Sequence, residues 1–205
     1  MTIGPTGLRE RKKQATRAAL RDAALRLALE RGPDNVRVED IAAAAGVSPR
    51  TYNNYFPSRE HAIVAAVTAE REGQIAAAVA ARPAEVPLAD AVVDAVVARY
   101  TDPGERHRDA LLLITTHPAL RAAFLDTTGA LSEPLAAAIA DRLDARDELT
   151  ADVLAGSVAA AIRVALGHWL QPAAGSGFVV TSGSLPGLLR AALAPLVPAL
   201  DAAGR

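Results

Sequence analysis

The sequence predicts an all-α protein, with an N-terminal three-helix, helix-turn-helix domain over residues 1–57 joined to a larger helical domain over residues 58–205. An alanine-rich, strand-poor composition favours helices. With 51% hydrophobic residues, a chain of 205 can bury a sizeable core. Glycine and proline residues divide the chain into segments with helical periodicity. The chain has no cysteine, which excludes disulfides and thiolate metal sites.

The first predicted helix spans residues 8–31 and ends at Gly32, a residue suited to a helix C-terminus. Its first turns carry the basic run RERKKQATR, which holds both lysines of the chain. Residues 1–60 contain 11 Lys and Arg against 7 Asp and Glu, a net charge of +4, whereas the remainder carries −5. Basic side chains in this pattern can neutralise nucleic-acid phosphates, although such a run alone is also typical of a solvated helix start.

The second predicted helix begins near Val38, where the carboxylates of Glu39 and Asp40 suit the positive end of a helix dipole. Apolar residues follow at helical spacing, and Gly46 lies where this helix is expected to end. Glycine can adopt the left-handed conformation of the residue after a helix without strain. The chain is therefore expected to turn at Gly46.

The third predicted helix is short, residues 49–56, and follows that turn directly. Ser48 is expected to cap it through its hydroxyl, and Pro49 occupies the first helical position, where a missing N–H costs nothing. A short second helix after a glycine-containing turn has the geometry that fits the major groove of DNA. The alternative is an ordinary helical hairpin whose polar residues form a solvated face.

The polar residues expected to face outward from the third helix suit base recognition. Arginine can bind guanine through two hydrogen bonds, asparagine can do so with adenine, and the threonine methyl group can contact thymine. Tyr52 and Phe56 are expected to point inward. The outward candidates are Arg50, Thr51, Asn53 and Asn54.

Residues 9–63 resemble the DNA-binding domain of the tetracycline-repressor (TetR) family of one-component bacterial regulators. The resemblance consists of the segments RKKQATRAALRDAALRLALERG, VEDIAAAAGVS, RTYNNYF and PSREHAI, in the family's order and spacing. Arg37 and Asn53 stand where threonine and tyrosine are common in the family, and Tyr55 and the amide of Asn53 are the candidate substitutes for that tyrosine. The predicted DNA-binding residues are Arg9, Lys12, Lys13, Arg17, Arg37, Ser48, Pro49, Arg50, Thr51, Asn53, Asn54, Tyr55 and Arg59.

The larger domain is predicted to begin with a long helix over residues 58–81, with Ser58 as its N-cap. Because this helix starts beside the helix-turn-helix, it is the expected lever between the two domains. The remaining helices are predicted at residues 88–100, 105–116, 119–127, 132–143, 149–170 and 185–200.

The predicted helix over residues 149–170 is apolar on more than one face, and its small residues would permit another helix to approach closely. The family resemblance implies a homodimer formed through the last two long helices. The alternative is that this helix is the buried centre of a monomer. The candidate interface residues are Gly156, Ala160, Val164, Gly167, Trp169, Leu189 and Leu193.

The resemblance also implies a pocket for a small-molecule effector in the larger domain. Arg163, His117 and His168 lie in apolar surroundings and are candidates to bind a carboxylate or phosphate, although residues of this kind are more often satisfied or exposed. Aromatic residues make up only 3% of the chain, which favours an aliphatic or acyl effector over a stacked planar one. The candidate pocket residues are Val96, Tyr100, Leu113, His117, Phe124, Ile162, Arg163 and Leu166.

These patterns together predict a homodimeric, ligand-responsive transcription factor, more in keeping with a repressor than an activator, that binds an inverted-repeat operator in double-stranded DNA. The alternatives are an effector-independent DNA-binding protein and a helical-bundle enzyme. The four histidines form no metal-binding or catalytic motif, so no enzyme activity, cofactor or metal is expected. The N-terminus lacks an apolar signal segment, and glycine and proline interrupt the apolar span over residues 164–189. A cytoplasmic protein that does not span a membrane is therefore expected.

Overall fold

A computed structural model describes residues 5–102, 105–128, 133–143, 148–170 and 184–204 of the chain. Within these ranges all regular secondary structure is helical, which confirms the predicted all-α class. The described α-helices are α1 (Pro5–Arg31), α2 (Val38–Ala44), α3 (Pro49–Tyr52), α4 (Arg59–Ala80), α5 (Leu88–Thr101), α6 (Glu105–Thr116), α7 (Pro118–Thr128), α8 (Glu133–Ala140), α9 (Glu148–Trp169), α10 (Leu185–Leu193) and α11 (Val197–Ala203).

Two helices differ most from the sequence-based prediction. The α-helix of α3 ends at Tyr52, and residues 53–55 form a turn. The predicted helix over residues 185–200 is divided into α10 and α11 by a short 3-10 turn at Ala194–Leu196. Pro195 and Pro198 lie at this break, and proline cannot donate the backbone hydrogen bond that a continuous α-helix needs.

The chain forms two compact units, and each is continuous in space but not in sequence. The first unit comprises residues 1–67 and 109–124, and the second comprises residues 68–108 and 125–205. The sequence predicted a contiguous division at residue 57. In the structure the division falls inside α4, between Val67 and Thr68, and the segment that contains most of α6 and of α7 groups with the N-terminal helices.

The core of the first unit is built from the apolar faces of its N-terminal helices. Leu20 of α1, Ile41 of α2 and Ile63 of α4 are all fully buried, and α2 packs against both α1 and α3. The turns that follow α1 and α2 each contain a glycine with positive φ, 78° at Gly32 and 70° at Gly46. These two glycines let the first three helices follow one another closely, since other residues rarely adopt that backbone conformation.

The core of the second unit is organised around α9. This helix packs against α8 and α10, and α10 also packs against α5. Leu154, Val158, Ile162 and Leu166 of α9 are all buried. Their spacing of four residues places them along one face of the helix, so that face supplies the centre of the unit.

Two helical segments of the second unit, α9 and residues 185–203, are long and apolar enough to span a membrane by length and composition alone. Core helices of water-soluble proteins meet the same criteria. In this unit α9 packs on α8 and α10, and the segment 185–203 is interrupted by the proline-containing turn described above. The helix α9 therefore has an ordinary place in the core of the unit, and the segment 185–203 contributes Leu189, Leu193 and Leu200 to that core.

Candidate nucleic-acid interface

The turn between α2 and α3 is fixed by backbone hydrogen bonds around Gly46. The N–H of Gly46 donates to the carbonyl of Ala43 at 3.1 Å, and the N–H of Val47 donates to the carbonyl of Ala42 at 2.9 Å. This pair of bonds is the Schellman pattern that ends helices whose next residue is left-handed. The helix ends at Ala44, and the predicted turn at Gly46 is confirmed.

The start of α3 is fixed by its own cap. The Oγ atom of Ser48 accepts a hydrogen bond from the backbone N–H of Thr51 at 3.1 Å and lies 2.9 Å from the Oγ1 atom of Thr51. Pro49 occupies the first helical position, as the sequence predicts. The hydroxyl groups of Ser48 and Thr51 are therefore both engaged at the helix end.

Two aromatic residues anchor α3 to the core of the first unit. Tyr52 is fully buried and donates a hydrogen bond from its hydroxyl to the carbonyl oxygen of Ser58 at 2.8 Å, while Phe56 is 3% exposed. Burial, with a smaller contribution from the charge of Glu60, raises the pKa of Tyr52 well above its ordinary value, so the phenol remains a hydrogen-bond donor. Both residues point inward, as the sequence predicts.

The inward anchors leave a polar outer face on α3 and its following turn. Arg50, Asn53 and Asn54 are exposed, and Thr51 is half-buried, with its hydroxyl in contact with that of Ser48. These side chains are the types that pair with base edges in a major groove. Tyr55 lies beside them with a half-buried side chain.

The basic residues predicted on α1 lie on an exposed part of that helix. Arg9, Lys12, Lys13 and Arg17 are all exposed. The guanidinium carbon of Arg17 lies 5.2 Å from the centroid of the Phe56 ring, a cation–π contact that connects α1 with the segment after α3. Arg17 is thus held at a defined place on the same unit as the outer face of α3.

Arg59 was predicted to contact DNA, but its guanidinium is directed to groups within the first unit. Its Nη1 atom donates to the carbonyl oxygens of Asp34 at 3.1 Å and Val36 at 2.8 Å. Its Nε atom lies 2.7 Å from the Oε1 atom of Glu60. These bonds join the start of α4 to the turn between α1 and α2, which makes Arg59 a positioning residue in this structure.

The contact with Arg59 also lowers the pKa of the carboxyl group of Glu60. Burial alone would raise its pKa, but hydrogen bonds from the side chains of Arg59 and Ser58, aided by the charge of Arg59, hold the pKa below its ordinary value. At neutral pH Glu60 is therefore a carboxylate, which suits its place in the first turn of α4.

Arg37 lies immediately before α2, where the family commonly has threonine. Its backbone N–H donates to the Oδ2 atom of Asp40 at 3.1 Å. The guanidinium has only donors and cannot accept a hydrogen bond from the helix, so Asp40 supplies the carboxylate of this cap. The side chain of Arg37 remains exposed.

The residues predicted to form an effector pocket are distributed between the two units. Leu113, His117 and Phe124 belong to the first unit, and the Nε2 atom of His117 lies 3.1 Å from the Oδ1 atom of Asp34. The predicted pocket residues of the second unit are Val96, Tyr100, Ile162, Arg163 and Leu166.

The exposure of the polar residues of α9 shows that part of the predicted effector pocket is wrong. Arg163 and His168 are exposed, whereas Ile162 and Leu166 are buried. An exposed arginine does not line an interior cavity, so the pocket assignment of Arg163 does not agree with the structure. A side chain on the opposite face of an apolar helix reaches solvent even when its sequence neighbours are all hydrophobic.

The described residues of the second unit also line a surface cleft of about 620 Å³ that the sequence did not predict. Its walls include Glu85, Asp141 and Asp201 as well as Leu88, so they are partly acidic. Arg142 also lines the cleft, and its guanidinium donates to the carbonyl of Arg82 at 3.2 Å and to that of Val86. None of the predicted pocket residues lines this cleft.

The candidate interface residues also divide into two groups. Leu189 and Leu193 are fully buried inside the second unit, where α10 packs against α9 and α5. They are unavailable to a partner, so their assignment to a dimer interface is corrected. Ala160 and Val164 are exposed, and Gly156, Gly167 and Trp169 are partly exposed.

Sequence reasoning missed a buried polar group on α4. Arg71 is only 7% exposed, and its guanidinium carbon lies 4.4 Å from the centroid of the Tyr100 ring. Arg71 lies four residues before the buried Ile75, so helical spacing placed it on an apolar face. This spacing was the only feature of the sequence that could have indicated the burial of Arg71.

A well-capped helix-turn-helix with a basic neighbouring helix, carried on a chain with a separate helical domain, defines the class of DNA-binding transcription regulators. Comparison with known proteins agrees. Residues 20–66 match the model of the bacterial regulatory proteins of the tetR family, and residues 83–201 match that of the MftR C-terminal domain.

Among curated proteins, the HTH-type transcriptional regulator TcmR of Streptomyces glaucescens is 33% identical over 177 residues, which cover 81% of this chain and 77% of that protein. The chain is also similar to the solved structure of Thermus thermophilus FadR, a TetR family repressor in complex with lauroyl-CoA. The match covers 89% of this chain and 93% of the FadR chain, at 21% identity and a TM-score of 0.48. A match to the multidrug binding protein EbrR complexed with ethidium covers 89% of this chain and 99% of the EbrR chain, at 23% identity and a TM-score of 0.41. The chain belongs to the TetR family of bacterial transcription regulators.

Proposed function

We propose that the protein is a homodimeric repressor that binds an inverted-repeat DNA operator and is released from it by a small apolar effector. The observation that carries the DNA-binding part is the fixed geometry of α3. Its turn is closed at Gly46, its first turn is capped by Ser48, and its inner side is anchored by Tyr52. Because the backbone of such a helix is already ordered, DNA binding need only order its exposed side chains.

The outer face of α3 supplies the base contacts in this proposal, with Arg50 reading guanine and the amides of Asn53 and Asn54 reading adenine or contacting the backbone. The exposed residues of α1, together with Arg37, contact phosphates. Arg59 positions the reading helix from within the protein. Tyr55 is the tyrosine in this region with a partly accessible side chain, which makes it a candidate for a phosphate contact.

The dimer part of the proposal rests on an exposed apolar line along α9. Leu149 is 74% exposed, Val153 is 58% exposed and Val164 is 47% exposed, and Ala160 continues the same line. These residues recur at spacings of four and seven, which place them on one face of the helix, on the side opposite the buried face of α9. Exposed apolar stripes of this kind commonly mark an interface, and a second copy of α9 related by two-fold symmetry would cover it.

The effector part of the proposal places the ligand in the second unit. DNA recognition is assigned to the first unit, so the second unit has a separate task, which in this proposal is regulation without enzyme activity. Release requires that the effector bind one conformation of the protein more tightly than the DNA-bound one, and by linkage the operator weakens effector binding by the same factor. The protein acts in the cytoplasm.

Selection of binding sites from random DNA tests the proposal without knowledge of the operator. The purified protein should enrich an inverted repeat whose half-sites are spaced by about one helical turn or more, and sedimentation should show two protein chains on that DNA. Arg50→Ala should fail to enrich the same repeat although it retains weak binding to bulk DNA. Enrichment of no common sequence by the wild-type protein, or of a single unrepeated half-site, would contradict the proposal.

A further inference from the structure

Arg17 differs from three other arginines of the first unit in what holds its guanidinium group. Arg21, Arg26 and Arg59 each have a carboxylate oxygen nearby, at 3.6, 3.3 and 2.7 Å respectively. The guanidinium carbon of Arg17 instead lies 5.2 Å from the centroid of the Phe56 ring, and no carboxylate among the side chains that the structure describes lies within 4 Å of this group. The side chain of Arg17 is exposed. Its charge is therefore held in place without being paired.

A cation–π contact leaves the hydrogen-bonding capacity of an arginine available. The attraction is between the positive charge and the electrons of the ring. The five N–H donors of the guanidinium group form a planar fork that matches a carboxylate or a phosphate. Within the described part of the chain, Arg17 donates no hydrogen bond that would occupy this fork. It can therefore bind an external anion without breaking a bond inside the protein.

The ring that holds Arg17 is itself tied to α3. Phe56 is 3% exposed, and its backbone N–H donates to the carbonyl of Tyr52, the last residue of α3, at 3.2 Å. The centroids of the two rings are 5.9 Å apart. Because Tyr52 is anchored in turn by its hydrogen bond to Ser58, an anion bound by Arg17 would lie at a fixed distance from the outer face of α3.

The charge of the surrounding surface favours a polyanion as the ligand. Arg11 and Arg21 line the same shallow groove on α1 as Arg17. The backbone of DNA presents phosphates at regular intervals beside the bases that α3 is proposed to contact. Phosphate contacts fix the register and the orientation of a protein on the duplex. An arginine with a fixed planar fork suits that task better than a flexible lysine, which supplies charge alone.

We propose that Arg17 clamps one particular phosphate in each half-site of the operator, that Phe56 is the positioning residue for this clamp, and that the pair sets where α3 lies along the major groove. This inference rests on the proposed DNA binding and divides the basic residues of α1 by role. Arg17 supplies a contact of defined geometry, whereas Lys12 supplies charge to the backbone in general.

A scan of single neutral phosphates tests the clamp on the full-length protein. Operator duplexes from the selection experiment carry a methylphosphonate in place of one phosphate of one half-site, at each position in turn, and fluorescence anisotropy measures their affinities. Because hydrogen bonds to charged groups are strong, the wild type should lose about tenfold at the clamped phosphate. Arg17→Met should bind unmodified DNA more weakly and show no further loss at that phosphate. Lys12→Met, the matched control, should also bind more weakly but keep the wild-type loss there.

Arg17→Lys separates the geometry of the contact from its charge. It keeps the positive charge and removes the planar fork, so the loss at the clamped phosphate should fall to about threefold. The dependence of operator affinity on salt should stay as in the wild type. A merely structural role of Arg17 would not produce an effect confined to one phosphate. Phe56→Leu keeps an apolar residue in the core and removes the ring, so it should reduce the same loss although Arg17 is intact.

The inference is overturned if no phosphate shows a loss that Arg17→Met removes, or if Arg17→Lys retains the full wild-type loss. It is also overturned if Phe56→Leu is folded by circular dichroism and retains that loss. If Phe56→Leu is unfolded, the two Arg17 variants decide. A wild type that selects an operator but has no Arg17-dependent phosphate would leave the proposed function standing and reject this inference alone, whereas selection of no operator would reject both.

Discussion

Replacing Gly46 by alanine would isolate the energetic cost of the turn between α2 and α3. Gly46 has a φ of +70°, and a Cβ atom added there would meet nothing within 4 Å. Steric overlap with neighbours is therefore absent, and only the left-handed backbone conformation is unfavourable for alanine. We expect Gly46→Ala to lower the free energy of unfolding by about 1–2 kcal/mol.

Gly73 provides a matched control for the same substitution. It lies inside α4 without a positive φ, and a Cβ atom added there would also meet nothing within 4 Å. Because glycine is a poor residue in a helix interior, Gly73→Ala should raise the free energy of unfolding by about 0.5–1 kcal/mol. Gly46→Asn should cost less than Gly46→Ala, since asparagine tolerates the left-handed region better.

Urea denaturation followed by circular dichroism measures the stability of all three variants, and amide hydrogen exchange reports on α2 and α3 locally. Opposite signs for the two alanine variants, with Gly46→Asn in between Gly46→Ala and the wild type, would support the reasoning. If Gly46→Ala were as stable as the wild type, or if Gly46→Asn cost as much as Gly46→Ala, the turn would not depend on the left-handed residue.

The remaining predictions concern DNA binding, assembly and acid stability. Arg50→Ala should cost about 1–3 kcal/mol on the selected operator and little on random DNA, whereas Lys12→Ala should weaken binding to both and make its salt dependence shallower; fluorescence anisotropy at several salt concentrations separates the two, and equal losses for Arg50→Ala on both DNAs would identify a phosphate contact instead. Leu149→Asp should convert the dimer to a monomer in sedimentation, while the same change at Leu112, a 63% exposed leucine of the first unit, should not; a persistent dimer would place the interface elsewhere. The lowered pKa of Glu60 means that its carboxylate contributes stability above the unfolded-state pKa and loses that contribution as the pH falls through the lower folded-state value. Glu60→Gln should therefore flatten the acid loss of stability in urea titrations at several pH values, and an unchanged pH profile would show that ionisation of Glu60 does not contribute to that loss.

The helix-turn-helix formed by α2 and α3 could be predicted from the sequence because the residues that determine it act locally. Gly46, Ser48 and Pro49 each act within one turn of a helix, so the sequence contains the whole cause of the α2–α3 geometry. The inward direction of Tyr52 followed from helical spacing for the same reason. These positions need no knowledge of distant residues.

Other assignments depended on partners that the sequence does not reveal. Leu189 and Leu193 form an apolar face that could equally meet another copy or the same chain, and the structure places α9 and α5 of the same unit against it. Arg59 looked like a surface cation, but the carbonyl groups it contacts belong to residues more than twenty positions earlier. Arg71 required knowledge of Tyr100, which lies on a separate helix.

The hydrogen bond between the hydroxyl groups of Ser48 and Thr51 limits which kind of base contact Thr51 can make in the proposed complex with DNA. With the Oγ1 atom of Thr51 held 2.9 Å from the Oγ atom of Ser48, the methyl group is the part of this side chain that remains available to DNA. A methyl group recognises another methyl group through van der Waals contact and is indifferent to hydrogen-bonding patterns. The operator should therefore respond to single-carbon changes in its pyrimidines: deoxyuridine in place of the contacted thymidine should weaken binding, and 5-methylcytosine at that position should bind better than cytosine.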